Sequence, residues 1–218
     1  MGTATNVLPI LLPKIKPYRV TTMTVPESSI TIEPGYRPGL LARCLEMHIA
    51  YYHPYNSWGL AFETSLAKSW ADLIQRLTNP RNQIFAAVQS APSDNSVDFT
   101  QKIVGTILID AEHLQQPNTA QIRGFIVDER ARGLGVGKRL LAAAMEFIEQ
   151  QKFDKVTLFT SSTQEASLYL YKKADFVVVK DEQKILWDVS MNELQLDWTR
   201  PIVAAQGAEE NGVTKSDI

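Results

Sequence analysis

The sequence is poor in several features that would point directly to a class of protein. It contains a single cysteine, Cys44, so no disulfide can form within the chain and nothing favours secretion. Its formal net charge is only -2, so charge gives no reason to expect binding to nucleic acid or to an anionic membrane. No apolar run approaches the roughly 20 residues that span a bilayer. We therefore expect a cytoplasmic protein that binds neither nucleic acid nor membrane.

The sequence does contain enough apolar residues to build a core. Of its 218 residues, 44% are hydrophobic and 21% are charged, which fits one globular domain that needs neither disulfides nor metals. We expect this domain over residues 28–200, with Cys44 as a small core residue rather than a nucleophile. Residues 1–27 show no periodicity and are expected to form an extension. Residues 201–218 are polar and are expected to be disordered.

Apolar periodicity in the first half of the domain predicts a strand, two helices and three further strands. Pro54 is expected to place a loop at His53–Trp58, between the two helices. The polar stretch 91–101 suits a long hairpin loop. The predicted elements are a strand over Ser29–Glu33, helices over Arg37–Tyr52 and Leu60–Leu77, and strands over Gln83–Gln89, Lys102–Ile109 and Thr119–Val127.

The second half contains the clearest helix in the chain, Val136–Gln150, which places its apolar residues on one face. A strand is predicted over Val156–Thr160, and Ser162 with Glu165 forms a possible capping box that opens another helix. The polar residues Asp181, Glu182 and Gln183 are expected to form a turn between strands at Phe176–Lys180 and Lys184–Val189. The fold class is therefore α/β (α+β), with a mixed sheet flanked by helices.

A glycine-rich loop precedes the Val136–Gln150 helix. It consists of Arg132, Gly133, Leu134, Gly135, Val136, Gly137 and Lys138. Glycines let the backbone approach a ligand, and the helix adds unpaired N–H groups and the positive end of its dipole. Together with the charges of Arg132 and Lys138, these groups suit a diphosphate.

Two familiar phosphate loops are excluded by the spacing of these glycines. A dinucleotide fingerprint requires glycine where this sequence has Lys138. A Walker loop requires glycine at Arg132 and a serine or threonine at Arg139. Neither pattern is present.

The pattern Arg132-x-x-Gly135-x-Gly137 resembles the Q/R-x-x-G-x-G/A loop of the GNAT superfamily of N-acetyltransferases. Residues 170–176 resemble the second signature of that family, L-Y-E-K-x-G-F, with Lys172 in place of the acid and Asp175 in place of the glycine. Gln164 stands where the family often has asparagine. Segments such as MHIAYY and LWDVSMNELQLDW further resemble the GNAT module that is fused to MarR-type regulators in bacteria. No helix-turn-helix pattern precedes them here, so we expect this module to stand alone.

The resemblance implies the GNAT fold, a mostly antiparallel mixed sheet of about seven strands and about four helices, splayed between its fourth and fifth strands. It also implies acetyl-CoA as the acyl donor, and we expect no metal. The residues expected to bind CoA are the backbone of Ile126 and Val127, the loop Arg132–Lys138, and Gln164. Tyr171 matches the family's tyrosine beside the sulfur and would protonate the leaving thiolate.

The sequence says less about which residues bind and deprotonate the acceptor amine. Glu63 and His48 are candidate bases, although each could equally be structural, and Arg123 could hold a substrate carboxylate. The aromatic residues expected to wall the pocket are Tyr51, Tyr52, Tyr55, Trp58 and Phe62, although packing alone would explain most of them. We expect a small primary amine, such as an amino acid, to attack acetyl-CoA directly while both are bound to the protein in a ternary complex. The protein itself is expected to be a monomer or a homodimer. The alternatives are a non-catalytic acyl-CoA-binding regulatory module and a protein or peptide N-acetyltransferase.

Overall fold

The computed structural model of the protein describes residues 30–90 and 103–201. The predicted extension (residues 1–27), the predicted hairpin loop (residues 91–101) and the predicted tail beyond Pro201 lie outside these ranges. The expected domain limits, 28–200, therefore stay a prediction.

One mixed sheet organises the described residues, in the strand order β1-β2-β3-β4-β5-β7-β6. Only β4 and β5 pair in parallel, and the other neighbours are antiparallel. This arrangement confirms the predicted fold class. The strands are β1 (Ile30–Pro34), β2 (Gln83–Gln89), β3 (Ile103–Asp110), β4 (Thr119–Val127), β5 (Lys155–Ser161), β6 (Val177–Leu186) and β7 (Val189–Thr199); the helices are α1 (Leu40–Asn56), α2 (Leu60–Gln75), α3 (Val136–Gln150) and α4 (Glu165–Lys173).

Helices cover both faces of this sheet, and alternation along β3 divides the core between them. Ile107 and Ile109 belong to the cluster that contains the buried face of α3. Leu108, between them, belongs to the cluster built with α1 and α2. Cys44 is buried in this second cluster, and burial raises the pKa of its thiol to about 12. The prediction that it is a core residue is confirmed.

The two strands that pair in parallel separate after three residues. Thr119–Gln121 of β4 pairs with Lys155–Thr157 of β5, and the pairing then ends. Further along, Ile126 and Val127 stay on β3, opposite Thr106 and Gly105, while β5 stays paired with β7. A wedge-shaped gap therefore opens between β4 and β5, at the place that the fold prediction gave.

Three local predictions were wrong. Helix α1 continues through Pro54 to Asn56, because a proline in the last turn disrupts little of the helix beyond it. Ser162 does not cap α4, whose N-cap is Gln164 without a side-chain hydrogen bond; Ser161 Oγ instead accepts from the Thr163 backbone N–H.

The third wrong prediction is the turn at residues 181–183. These residues lie inside β6, which runs without interruption to Leu186. Strand β6 forms an edge of the sheet and almost all of its residues are exposed, so polar residues there signal an edge strand and not a turn. The hairpin turn is instead at Trp187 and Asp188, inside the strand predicted over Lys184–Val189, and the sequence predicted no strand beyond Val189, where β7 lies. In the described part of the chain, no helix has the length and apolar character needed to cross a membrane.

Candidate active site

The glycine loop lies at the open end of the gap between β4 and β5. Gly133 and Gly135 have φ angles of +79° and +71°, which side-chain-bearing residues rarely adopt. Gly135 is the N-cap of α3 and, within the described part of the chain, no side-chain hydrogen bond caps that helix. The N–H groups of this turn are therefore available to an anion.

Asp128 holds the chain where β4 passes into this loop. Its carboxylate accepts a hydrogen bond from the Arg130 backbone N–H at 2.9 Å, which caps a short 3-10 turn at Glu129–Ala131. It also forms an ion pair with Arg43 of α1, and both side chains are buried. Arg43 further donates from Nε to the Ile103 carbonyl at 3.0 Å. The sequence analysis missed this anchor, although an Asp after a strand is a recognised capping signal.

A cavity of about 810 Å³ runs from this loop along the gap to α4. Most of the predicted CoA-binding residues line it: Ile126, Val127, Arg132, Gly133, Gly135, Val136, Gly137, Lys138 and Gln164. Leu134 does not line it and packs against the core. Gly137 allows a close approach of α3 to α4, because a Cβ there would lie 3.3 Å from Leu170 Cδ1.

Tyr51 also lines this cavity, whereas the sequence placed it among the aromatic residues that would wall the acceptor pocket. Its hydroxyl donates to Gln164 Oε1 at 3.0 Å, and the Arg132 guanidinium lies 4.6 Å from the centre of its ring. Tyr51 therefore joins the glycine loop to the start of α4. The groups around the cavity suit CoA, since loop amides and exposed cations meet a diphosphate while Phe125 and Leu170 offer apolar surface to an extended thiol arm.

A second cavity, of about 560 Å³, adjoins the first. Tyr52, Phe125 and Ser167 line both, so they mark the place where the two meet. The second cavity brings together five of the predicted residues: His48, Tyr52, Phe62, Arg123 and Tyr171. Glu63 does not join them, because it is exposed in the first turn of α2 and lines neither cavity.

Tyr171 and His48 are both buried, and burial determines their protonation. Tyr171 is 5% exposed, and burial, with a smaller effect of Tyr52, raises the pKa of its phenol. Burial lowers the pKa of His48 to about 4. The Nδ1 atom of His48 lies 2.8 Å from the Cys44 carbonyl, which can only accept. The imidazole is therefore neutral at pH 7, with the proton on Nδ1 and a lone pair on Nε2.

Arg123 is held by groups of the chain itself. It donates to Asp110 Oδ2 at 2.9 Å and also to the Ser69 hydroxyl. Burial alone would raise the pKa of Asp110, but hydrogen bonds from Arg76 and its charge lower that pKa to about 2. Asp110 is therefore ionised, and Arg123 already has a carboxylate partner.

The sequence analysis missed several side chains of the second cavity that come from distant parts of the chain. Lys184 and Glu193, from neighbouring strands β6 and β7, form an ion pair in its wall. Trp187 reaches it from the turn between those strands. Gln121 was likewise not predicted, whereas Trp58 was expected in the pocket wall and does line this cavity. Trp58 Nε1 and Gln121 Oε1 are buried polar atoms that have no hydrogen-bond partner among the described residues. No sequence pattern joins these positions, since they meet only in the folded chain.

Among residues 30–90 and 103–201, no group of three or more His, Cys, Asp or Glu side chains is placed to hold a metal ion. The expectation that no metal takes part stays a prediction.

Comparison with known proteins agrees with this geometry. Residues 48–176 match the family described as Acetyltransferase (GNAT). The fold is similar to that of IAA acetyltransferase from Bacillus cereus, with a TM-score of 0.53, 18% identity, and coverage of 79% of this chain and 100% of that one. It is also similar to the ribosomal-protein-S18-alanine N-acetyltransferase from Escherichia coli, with a TM-score of 0.55, 15% identity, and coverage of 84% and 99%.

A third similar structure is that of yncA from Salmonella typhimurium with its cofactor acetyl-CoA. Its TM-score is 0.57 at 16% identity, and the match covers 82% of this chain and 98% of that one. No curated protein matches the sequence. Identities this low establish the fold and leave the acceptor open.

Proposed function

The chain belongs to the acetyltransferase (GNAT) family, and from this premise we propose that it transfers an acetyl group from acetyl-CoA to a primary amine of a small molecule, such as an amino acid or a related amine. The observation that carries the proposal is the pair of adjoining cavities. One contains the glycine loop, the other contains Tyr171, and they meet at Tyr52, Phe125 and Ser167. Two substrates could thus be held side by side.

In this proposal the first cavity holds acetyl-CoA. The amides at the start of α3, with Arg132 and Lys138, bind the diphosphate. The edge of β4 at Ile126 and Val127 faces the gap left by β5 and binds the pantetheine arm. Acetyl-CoA supplies a thioester whose carbonyl carbon is open to attack by an amine. The chain itself forms no covalent bond, so both substrates are bound at once.

Transfer then requires a proton to leave the amine and another to reach the sulfur as the N–C bond forms and the C–S bond breaks. Alkylamines have a pKa of about 10 and arrive protonated. Tyr171 keeps its proton throughout the neutral range, because burial raises its pKa, and we assign it to the sulfur.

We call the second cavity the acceptor cavity, because in this proposal it holds the amine. His48 is better placed than Glu63 to contact that amine, since only His48 of the two lines this cavity. With a pKa near 4, however, an imidazole holds a proton poorly at pH 7 and is better suited to orient the amine through Nε2. Glu193 is the carboxylate that the described residues contribute to this wall. We therefore assign proton removal to Glu193, directly or through water.

The test is an assay for free thiol with acetyl-CoA and a panel of amines, in which mass spectrometry identifies the acetylated product. Initial rates at varied concentrations of both substrates should give intersecting lines. Parallel lines together with a trapped acetyl-enzyme would contradict direct attack. Binding of acetyl-CoA without thiol release from any amine would instead favour a regulatory module, and acetylation of peptides alone would favour a peptide acetyltransferase.

A further inference from the structure

One side of the acceptor cavity is built from aromatic rings in contact with one another. This aromatic wall consists of Tyr52, Trp58, Phe62 and Trp187. The Trp187 ring centre lies 4.8 Å from that of Trp58 and 4.9 Å from that of Phe62. Tyr52 stacks on Trp58 with centres 4.8 Å apart. Such a wall favours a flat apolar ligand over a chain of polar groups.

The conformation of Trp187 supports a role for this wall. Trp187 and Asp188 have φ angles of +50° and +65° and form the two-residue turn between β6 and β7. Such turns are usually occupied by Asn and Gly, because other side chains crowd the backbone at positive φ. A bulky residue in this conformation points to a function that keeps it there. Here the turn carries the indole onto the aromatic wall.

The cations of the cavity already have carboxylate partners among the described residues. Arg123 is paired with Asp110, whose side chain is fully buried. Lys184 is paired with Glu193 and lies 3.4 Å from Glu182. His48 and His113 are neutral at pH 7, since burial lowers the pKa of each. A substrate carboxylate that enters this cavity would therefore be desolvated without gaining an unpaired cation as its partner, and this costs binding free energy.

The charges of the wall favour an amine. Lys184 lies against two carboxylates, Glu193 and Glu182, so this group carries a net negative charge. Glu193 places that charge at the cavity, where it attracts a protonated amine on arrival. Trp58 Nε1 and Gln121 Oε1 have no hydrogen-bond partner among the described residues, but both atoms are buried, so neither decides between an amine and a carboxylate.

From these observations we infer that the acceptor is an arylalkylamine without a carboxylate. Its ring packs against the aromatic wall and its amino group lies toward Glu193. This inference rests on the proposed acetyltransferase function and narrows its substrate, because it disfavours free amino acids among the small amines.

The experiment compares tryptamine, tryptophan and tryptophan methyl ester as acceptors, each with acetyl-CoA and the full chain. The ester keeps the bulk of the carboxyl group and removes its charge. We expect kcat/KM for tryptophan to be at least about tenfold below that for tryptamine, and the ester to recover most of the loss, because the cost lies in the unmatched charge. Tryptophan equal to tryptamine, or an ester as poor as the acid, would overturn the inference.

A variant tests the aromatic wall separately. Trp187→Ala should raise KM for tryptamine by about tenfold while leaving KM for acetyl-CoA and for propylamine unchanged. Ile185→Ala is the matched control, since Ile185 lies in the same hairpin, is 78% exposed and lines neither cavity. An equal loss with propylamine would refute the role of the wall. Absence of thiol release with every amine would instead refute the proposed function, so the two failures are distinguishable.

Discussion

The ion pair between Arg43 and Asp128 joins α1 to the entrance of the glycine loop, and its removal tests whether that loop depends on a buried anchor. The side chains are 5% and 9% exposed. In Arg43→Ala the carboxylate would keep its bonds to Arg130, but the Arg130 side chain is 70% exposed and therefore compensates poorly for a buried charge. The Ile103 carbonyl would also lose the donor that now lies 3.0 Å away.

The size of the effect follows from these losses. Removing one partner of a buried ion pair costs about 3–5 kcal/mol, and the remaining bonds of Asp128 place this case at about 3 kcal/mol. The unsatisfied carbonyl adds about 1 kcal/mol. We therefore expect Arg43→Ala to lower the free energy of unfolding by about 4 kcal/mol. Because Asp128 caps the turn before the loop, KM for acetyl-CoA should rise more than kcat falls.

Urea denaturation followed by circular dichroism measures the first quantity, and initial rates measure the second. Lys68→Ala is the control, because Lys68 forms an ion pair with Asp72 in which both side chains are largely exposed, at 80% and 54%. It should change stability by about 0.5 kcal/mol or less. If Arg43→Ala lost no more stability than Lys68→Ala, or if its KM for acetyl-CoA were unchanged, the anchor argument would be refuted.

Three further predictions concern single residues. Tyr171→Phe should lower kcat by about a hundredfold or more while leaving acetyl-CoA affinity within about twofold, because it removes a proton donor and keeps the ring; equal losses in both would tell against the acid role. Gly135→Val should abolish acetyl-CoA binding in calorimetry, since a β-branched residue adopts the φ of +71° at this N-cap only with strain; unimpaired binding would show that the diphosphate does not bind at this loop. For His48, the pKa falls from 6.5 unfolded to about 4 folded, so the unfolded state binds more protons between these values and stability is lost as pH drops through that window. Wild type should lose about 2 kcal/mol more than His48→Gln between about pH 7.5 and pH 5, and parallel pH profiles would show that His48 is not buried neutral.

The sequence predicted the residues around the first cavity more completely than those around the second, and the reason is physical. Residues 126–138 form a continuous strand, turn and helix start, so glycine spacing and helical periodicity report on them directly. The turn predicted inside β6 was wrong because both faces of this strand are exposed, so its residues are polar where they contact water and show no buried apolar face. Tyr51 could not be assigned to the cofactor cavity, since its contacts with Arg132 and Gln164 join segments far apart in sequence.

Under the proposed function, the two cavities also differ in what builds them. The proposed diphosphate site would depend on main-chain amides and on a helix start, which any sequence with the right glycines can supply. The walls of the second cavity come from α1, α2, β4, β5, α4 and the hairpin of β6 and β7. Its aromatic wall lies on α1, α2, the loop between them and the turn of that hairpin. Trp187 lies in the turn that leads from the edge strand β6 into β7, where the sheet depends least on the identity of a side chain. A replacement there should therefore change which amine is accepted and leave the use of acetyl-CoA intact.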